Sequence, residues 1–204
     1  FIVALCSLVL GMGLPTTANY IVMASLTAPA LVVVADLNGF AVPLIAAHLY
    51  CFYFGILADD TPPVGLAAYA AAAIAKSDPI RTGVQGFMYD IRTAVLPFMF
   101  IFNTDILLIG INNFFEAIFI FIMTCIGTCA FAGATQGWFI AKNRWYELLA
   151  LILVCGMTFR PYFFAEMLGI EERHLSYLLG AALFAAIYAV QKLRIRGSNP
   201  PATA

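Results

Sequence analysis

Two short polar segments interrupt otherwise apolar sequence, and both carry groups suited to holding a cation. In Gly55-Ile56-Leu57-Ala58-Asp59-Asp60-Thr61-Pro62-Pro63-Val64-Gly65, two adjacent carboxylates and a Pro-Pro pair stand between hydrophobic flanks. A carboxylate in hydrocarbon is costly unless it meets water, a cation or a partner. The prolines remove backbone donors and push the preceding residue out of helical geometry. Charge on a broken helix at membrane depth is tolerated where the backbone is buried in protein or lines a cavity. That is the pattern of a transport site. The earlier segment, Gly11-Met12-Gly13-Leu14-Pro15-Thr16-Thr17-Ala18-Asn19, has similar ingredients. Gly11, Gly13 and Pro15 stop a helix, and Thr16, Thr17 and Asn19 set side-chain oxygens beside freed carbonyls. Discontinuous helices use such carbonyls to hold Na⁺ and helix N-termini to hold anionic groups.

Plainer readings exist for each segment. Thr17 or Asn19 would serve as an ordinary cap for a helix beginning near Tyr20. The Asp-Asp-Thr-Pro-Pro segment would serve as a loop outside the membrane, but each flanking half is too short to span alone. Paired interruptions close together are the better pointer to transport. His48 lies near the middle of a predicted helix, either simply hydrogen-bonded or part of a proton relay. An intramembrane aspartyl enzyme would need two carboxylates converging from different helices, and no apolar span offers an obvious second aspartate. No HExxH metal motif and no Ser-His arrangement occurs in the spans. The five cysteines (6, 51, 125, 129, 155) all sit in apolar sequence without metal-type spacing, and read as small packing residues. A channel or passive scaffold would explain the hydrophobic helices but not two polar breaks.

The elements that must position these groups are membrane helices. Hydrophobic residues make up 63% of the 204, charged residues 10%, and mean hydropathy is +0.95. A soluble domain carries about 25% charged residues. An all-α integral membrane protein is therefore expected, and the net charge of −1 suggests no nucleic-acid partner. Residues 1–13 and 20–35 are two apolar arms. Residues 41–58 and 64–76 are the halves of a broken helix, 77–91 a polar loop, and 92–110, 113–133, 137–158 and 174–190 further apolar segments. Asp105 and Glu116 are expected to face water beside the turn near Asn112, and the Phe-rich run 114–121 reads as a lipid-facing or packing surface, not a cofactor box. Tyr162-Phe163-Phe164 after Arg160-Pro161 reads as interfacial, and 197–204 as a disordered tail. Lys76, Arg81, Arg92, Lys142, Arg144, Lys192, Arg194 and Arg196 fall on one side, against Arg160 and Arg173 on the other. The positive-inside rule makes the larger set, with the C-terminus, cytoplasmic. The chain opens at Phe1 inside an apolar run, so it reads as the C-terminal piece of a larger membrane protein.

The stretches GMGLPTTANYIVMASLTAPAL and HLYCFYFGILADDTPPVGLAAYAAAAIAKSDP resemble the large membrane subunit of TRAP transporters (tripartite ATP-independent periplasmic transporters), in particular fused permeases of the TAXI type. The resemblance covers about residues 1–110, and 111–196 resemble the additional transmembrane helices that such permeases carry. It implies an elevator-type secondary transporter of the bacterial inner membrane, driven by Na⁺ and supplied by a periplasmic substrate-binding protein, with small-subunit-like helices fused upstream. On that pattern residues 1–35 are a re-entrant hairpin with its tip at 11–19, and 41–76 a broken helix with its break at 59–63. Helix 92–110 completes the transport repeat. Gly11, Thr16, Thr17, Asn19, Asp60 and Thr61 become the Na⁺ candidates. Gly13, Pro15, Asp59, Pro62, Pro63 and Gly65 shape the breaks and the substrate site. Small organic anions such as dicarboxylates are the implied cargo, and no other cofactor is implied. The aspartate pair leaves protons or a second cation open as the coupling species.

Overall fold

The computed structural model describes residues 1–62, 64–111, 113–169 and 173–198, and they divide into two compact units, Phe1–Leu107 and Leu108–Ala204. Among the described residues every regular element is helical.

In the first unit a hairpin is built from α1 (Ile2–Gly11) and α2 (Thr16–Leu37). Gly13 makes the turn with φ +84°, a conformation open to glycine at no steric cost. Pro15 then precedes α2 in extended geometry. The broken helix follows as α3 (Leu44–Asp60) and α4 (Leu66–Ala75). At 17 residues, α3 is the centre of the unit. Its small residues Ala46, Ala47 and Cys51 are fully buried, so α1 and α2 approach closely, while Tyr50 and Phe54 set their rings against Phe98 at 5.4 and 5.6 Å. Thr27 of α2 donates to the Met23 carbonyl at 2.8 Å and reaches Cys51 Sγ at 3.1 Å, which satisfies its buried hydroxyl.

Three expectations fail after the broken helix. Residues 77–91 are not a loop but contain α5 (Pro79–Asp90). Asp78 caps it by accepting from the Arg81 backbone N–H at 2.8 Å, and Pro79 stands at the first turn. Nor do residues 92–110 form one helix. They contain α6 (Val95–Phe102) and a 3₁₀ turn, Thr104–Leu107. Asn103 leaves helical geometry, and its side chain accepts from the Asp105 N–H at 3.3 Å, which starts the turn. Asp105, expected to face water, is buried at 3% exposure.

The second unit comprises α7 (Phe114–Gln136), α8 (Trp145–Phe159), α9 (Pro161–Met167) and α10 (Arg173–Ser198). Phe114, Phe115, Ile118, Phe121 and Ile122 lie outward along α7, with Cys125 and Cys129 exposed on the same side. Between α8 and α9 the chain bends by 105° at Arg160-Pro161, where proline cannot extend the preceding helix. The Arg160 guanidinium lies 5.2 Å over the Phe163 ring. The disordered tail expected at 197–204 is corrected at its start, because α10 runs to Ser198. Residues 199–204 lie outside the described residues.

By length and composition Thr16–Leu37, Phe114–Gln136 and His174–Ile195 are each able to cross a membrane, with the bent pair α8–α9 a fourth candidate. This is an all-α, multi-pass membrane protein.

Candidate functional site

The hairpin tip closes on α3 just before its break. Asn19, in the first turns of α2, is fully buried, and its Nδ2 donates to the Gly55 carbonyl of α3 at 2.8 Å. Two glycines make room for it. A methyl added at Gly11 would stand 2.5 Å from Asn19 Nδ2 and 2.6 Å from the Ala58 Cβ, and one at Gly55 would stand 3.0 Å from Nδ2. Neither position accepts a side chain without displacing the amide. Asn19 Oδ1 is buried and has no hydrogen-bond partner. A buried acceptor left unpaired costs about 1–3 kcal/mol, a cost that a donor or a cation at this oxygen would offset.

The backbone adds to this field. α1 ends at Gly11 and α3 at Asp60, so both bring a helix C-terminus, with its partial negative charge and free carbonyls, to the same region. Asp59 and Asp60 sit in the last turn of α3, where the helix dipole disfavours anions, and no basic residue occupies that turn. Asp59 Oδ1 is shielded and unpartnered. Thr61 Oγ1 donates back to the Leu57 carbonyl at 2.8 Å, which caps the broken end and leaves the hydroxyl oxygen free to accept. By contrast α2 and α4 begin at the breaks, near Thr16 and Gly65, so their positive ends suit anionic groups.

The predicted residues therefore separate. Gly11 and Asn19 meet α3 at Gly55 and Ala58. Asp59, Asp60 and Thr61 stand at the end of that same helix. Thr16, Thr17, Gly13 and Pro15 are exposed on the turn and the start of α2. Pro62 and Gly65 border a cavity of about 120 Å³ with Tyr69, Ile80 and Gly83, and Pro63 lies outside the described residues. Tyr20 OH lies 3.2 Å from His48 Nδ1, so the histidine is hydrogen-bonded. Two participants went unrecognised in the sequence. Gly55 had no visible role until α2 was set against it. Asp90, at the end of α5, places its carboxyl within hydrogen-bonding reach of Asp60. A second carboxylate from another helix is thus present, although no apolar span carries it. Among the described residues, no three His, Cys, Asp or Glu side chains group as metal ligands. An ion here would be held mainly by amide, hydroxyl and backbone oxygens, the donor set of an alkali cation.

No curated protein and no solved structure gives a significant match. Residues 117–199 match a domain of unknown function, DUF3394. Residues 1–115, more than half the chain and all of the candidate site, match the family described as tripartite ATP-independent periplasmic transporter, DctM component. This chain belongs to that family of transporter permeases.

Proposed function

We propose that this chain imports small organic anions, such as dicarboxylates, by coupling their movement to Na⁺ entry through the site between the hairpin tip and the broken helix. Asn19 Oδ1 carries the proposal: a buried, unpartnered amide oxygen between two glycines and two helix C-termini is a ready cation ligand. Gly11 and Thr61 would add oxygens and Asp60 the compensating charge, with Thr16 and Thr17 at the exposed start of α2 as the outer oxygens of the site. The cargo anion would then bind near the N-termini of α2 and α4, with Gly13, Pro15, Asp59, Pro62, Pro63 and Gly65 shaping that space. Family membership implies a periplasmic binding protein as partner. We further propose elevator motion of the first unit, fused small-subunit-like helices upstream, and a cytoplasmic C-terminus in the bacterial inner membrane.

A second reading, proton coupling, rests on the Asp60–Asp90 contact, because two carboxyls in hydrogen-bond reach share a proton. Such a pair also resembles an aspartyl dyad, but membership in a transporter family favours ion coupling over catalysis. Uptake into proteoliposomes, driven by a Na⁺ gradient or a proton gradient and assayed with the binding protein, distinguishes the two. Na⁺ coupling predicts uptake under the Na⁺ gradient that is lost in Asn19→Ala and Asp60→Asn. Uptake driven by protons alone, and unchanged in Asn19→Ala, would select the second reading.

A further inference from the structure

The segment 137–144 between α7 and α8 is held at several points. Gly137 ends α7 in the left-handed region at φ +67°, where glycine is the usual choice. Asn143 Nδ2 donates to the Gly133 carbonyl at 2.8 Å, and Arg194 Nη2 of α10 donates to the Lys142 carbonyl at 2.8 Å. A segment so fastened keeps its outward side chains in place. They are of two kinds. Trp138 and Trp145, the two tryptophans of the chain, are 56% and 76% exposed. Lys142 and Arg144 are exposed between them, and Lys192 of α10 is exposed with its ammonium 5.4 Å over the Tyr188 ring. That ring lies 6.4 Å from Phe139, so Lys192 borders the same segment. Glu147 does not compensate these cations, because its carboxylate is engaged by Arg194, Gln191 and the Arg144 backbone N–H.

Other acidic side chains of this unit stand away from the segment. Glu116 Oε1 lies 3.5 Å from His174 Nε2, which joins the starts of α7 and α10, and Glu166 lies in α9, beyond the far end of α8. α7 has 23 residues and rises about 34 Å, close to the ~30 Å of a bilayer core. The cations and tryptophans at its end therefore fall at one headgroup level. Leu149 of α8 and Val190 of α10 are exposed one step further into the helices. A cationic surface alone would also suit an acidic protein, but exposed tryptophans above an apolar rim suit lipid.

We propose that this surface binds the phosphate of an anionic phospholipid through Lys142, Arg144 and Lys192, with Trp138 and Trp145 at headgroup depth and the acyl chains against Leu149 and Val190. The buried network behind it keeps the three cations in register: Gln191 and Arg194 hold the segment, while Glu147 takes up the charge of Arg194. This binding is independent of which ion couples transport.

The test uses the full-length permease in phosphatidylcholine vesicles in which a fixed minority of the lipid is brominated near the headgroup, either as phosphatidylglycerol or as phosphatidylcholine. Tryptophan fluorescence is read, and the signal of W138F/W145F is subtracted. Brominated phosphatidylglycerol should quench several-fold more than brominated phosphatidylcholine. K142Q/R144Q/K192Q leaves Glu147, Gln191 and Arg194 in place and is checked for unchanged helix content and unfolding temperature. It should be quenched equally by both lipids. R160Q, at the other end of α8, should keep the preference. Equal quenching by the two lipids in the unsubstituted protein would overturn the proposal, and so would a preference that survives the triple substitution. Loss of the preference in millimolar inorganic phosphate at constant ionic strength would overturn it as well, because the surface would then take a free phosphate. Absence of quenching by either lipid would mean that protein covers the tryptophans, with the same consequence.

Discussion

Glu147 of the second unit and Asn19 of the first are buried in opposite ways. In the second, Glu147 at 2% exposure is fully engaged: Arg194 Nη1 donates to Oε1 at 2.8 Å, while Gln191 Nε2 and the Arg144 backbone N–H donate to Oε2 at 3.0 and 2.8 Å. Gln191 is saturated too. Its Oε1 accepts from the Ile140 and Ala141 amides, and its Nε2 also reaches Asn143 Oδ1 at 2.9 Å. This network fastens the 137–144 turn to α10. In the first unit, Asn19 and Asp59 each keep a shielded oxygen with no partner. On the proposed function, saturation marks a structural joint and the open acceptor a place for a ligand. Burial alone does not tell them apart.

That contrast makes substitutions in the two units behave differently. The largest loss of stability is expected from Glu147→Ala, which takes an acceptor from the part-buried Arg194 guanidinium, the buried Gln191 amide and the Arg144 backbone N–H at once. Each buried hydrogen-bonding group left without its partner costs about 1–3 kcal/mol, and denaturant or thermal unfolding in detergent would show the loss. Gly55→Ala should come next, because its methyl meets Asn19 at 3.0 Å and overpacking of this kind costs about 1–3 kcal/mol. Its uptake should fall by more than its stability suggests, since Asn19 is the group displaced. Asn19→Ala should cost only about 1 kcal/mol, for one hydrogen bond lost, while abolishing cation-dependent uptake. A large stability loss with uptake intact would reverse the assignment and make Asn19 a joint like Glu147. Asp78→Ala should have the smallest effect, about 0.5 kcal/mol or slightly more for an exposed cap. Hydrogen exchange should place it at the start of α5, with the 137–144 turn unaffected.

Much of the first unit could be read from punctuation. Gly13 and Pro15 at the hairpin turn, and the Asp-Asp-Thr-Pro-Pro run, end helices for local reasons, so those boundaries need no tertiary information. Asp78-Pro79 carried the same kind of signal, a cap followed by proline at the first turn, but the polar residues around it suggested a loop. The break at Asn103 was hidden because Asn103-Thr104-Asp105 interrupts an apolar run only briefly, and the burial of Asp105 depends on packing. The closest features of the site were not legible at all. Gly55 matters because α2 presses an amide against it, and Asp90 matters because α5 folds back to Asp60. Both depend on approaches between helices that spacing along the chain does not encode. Thr16 and Thr17 illustrate the converse: their hydroxyls suit a cation by type, yet both are exposed.

The most direct test of the central claim is thermal unfolding of the full-length permease in NaCl against choline chloride at equal ionic strength. A ligand that binds only the folded state at ~100 times its dissociation constant adds about 2.7 kcal/mol. The account predicts a Na⁺-specific rise in the unfolding temperature that disappears in Asn19→Ala and persists in Glu147→Gln, although the latter starts from a lower baseline. A rise undiminished in Asn19→Ala, or no Na⁺-specific rise in the unsubstituted protein, would contradict it.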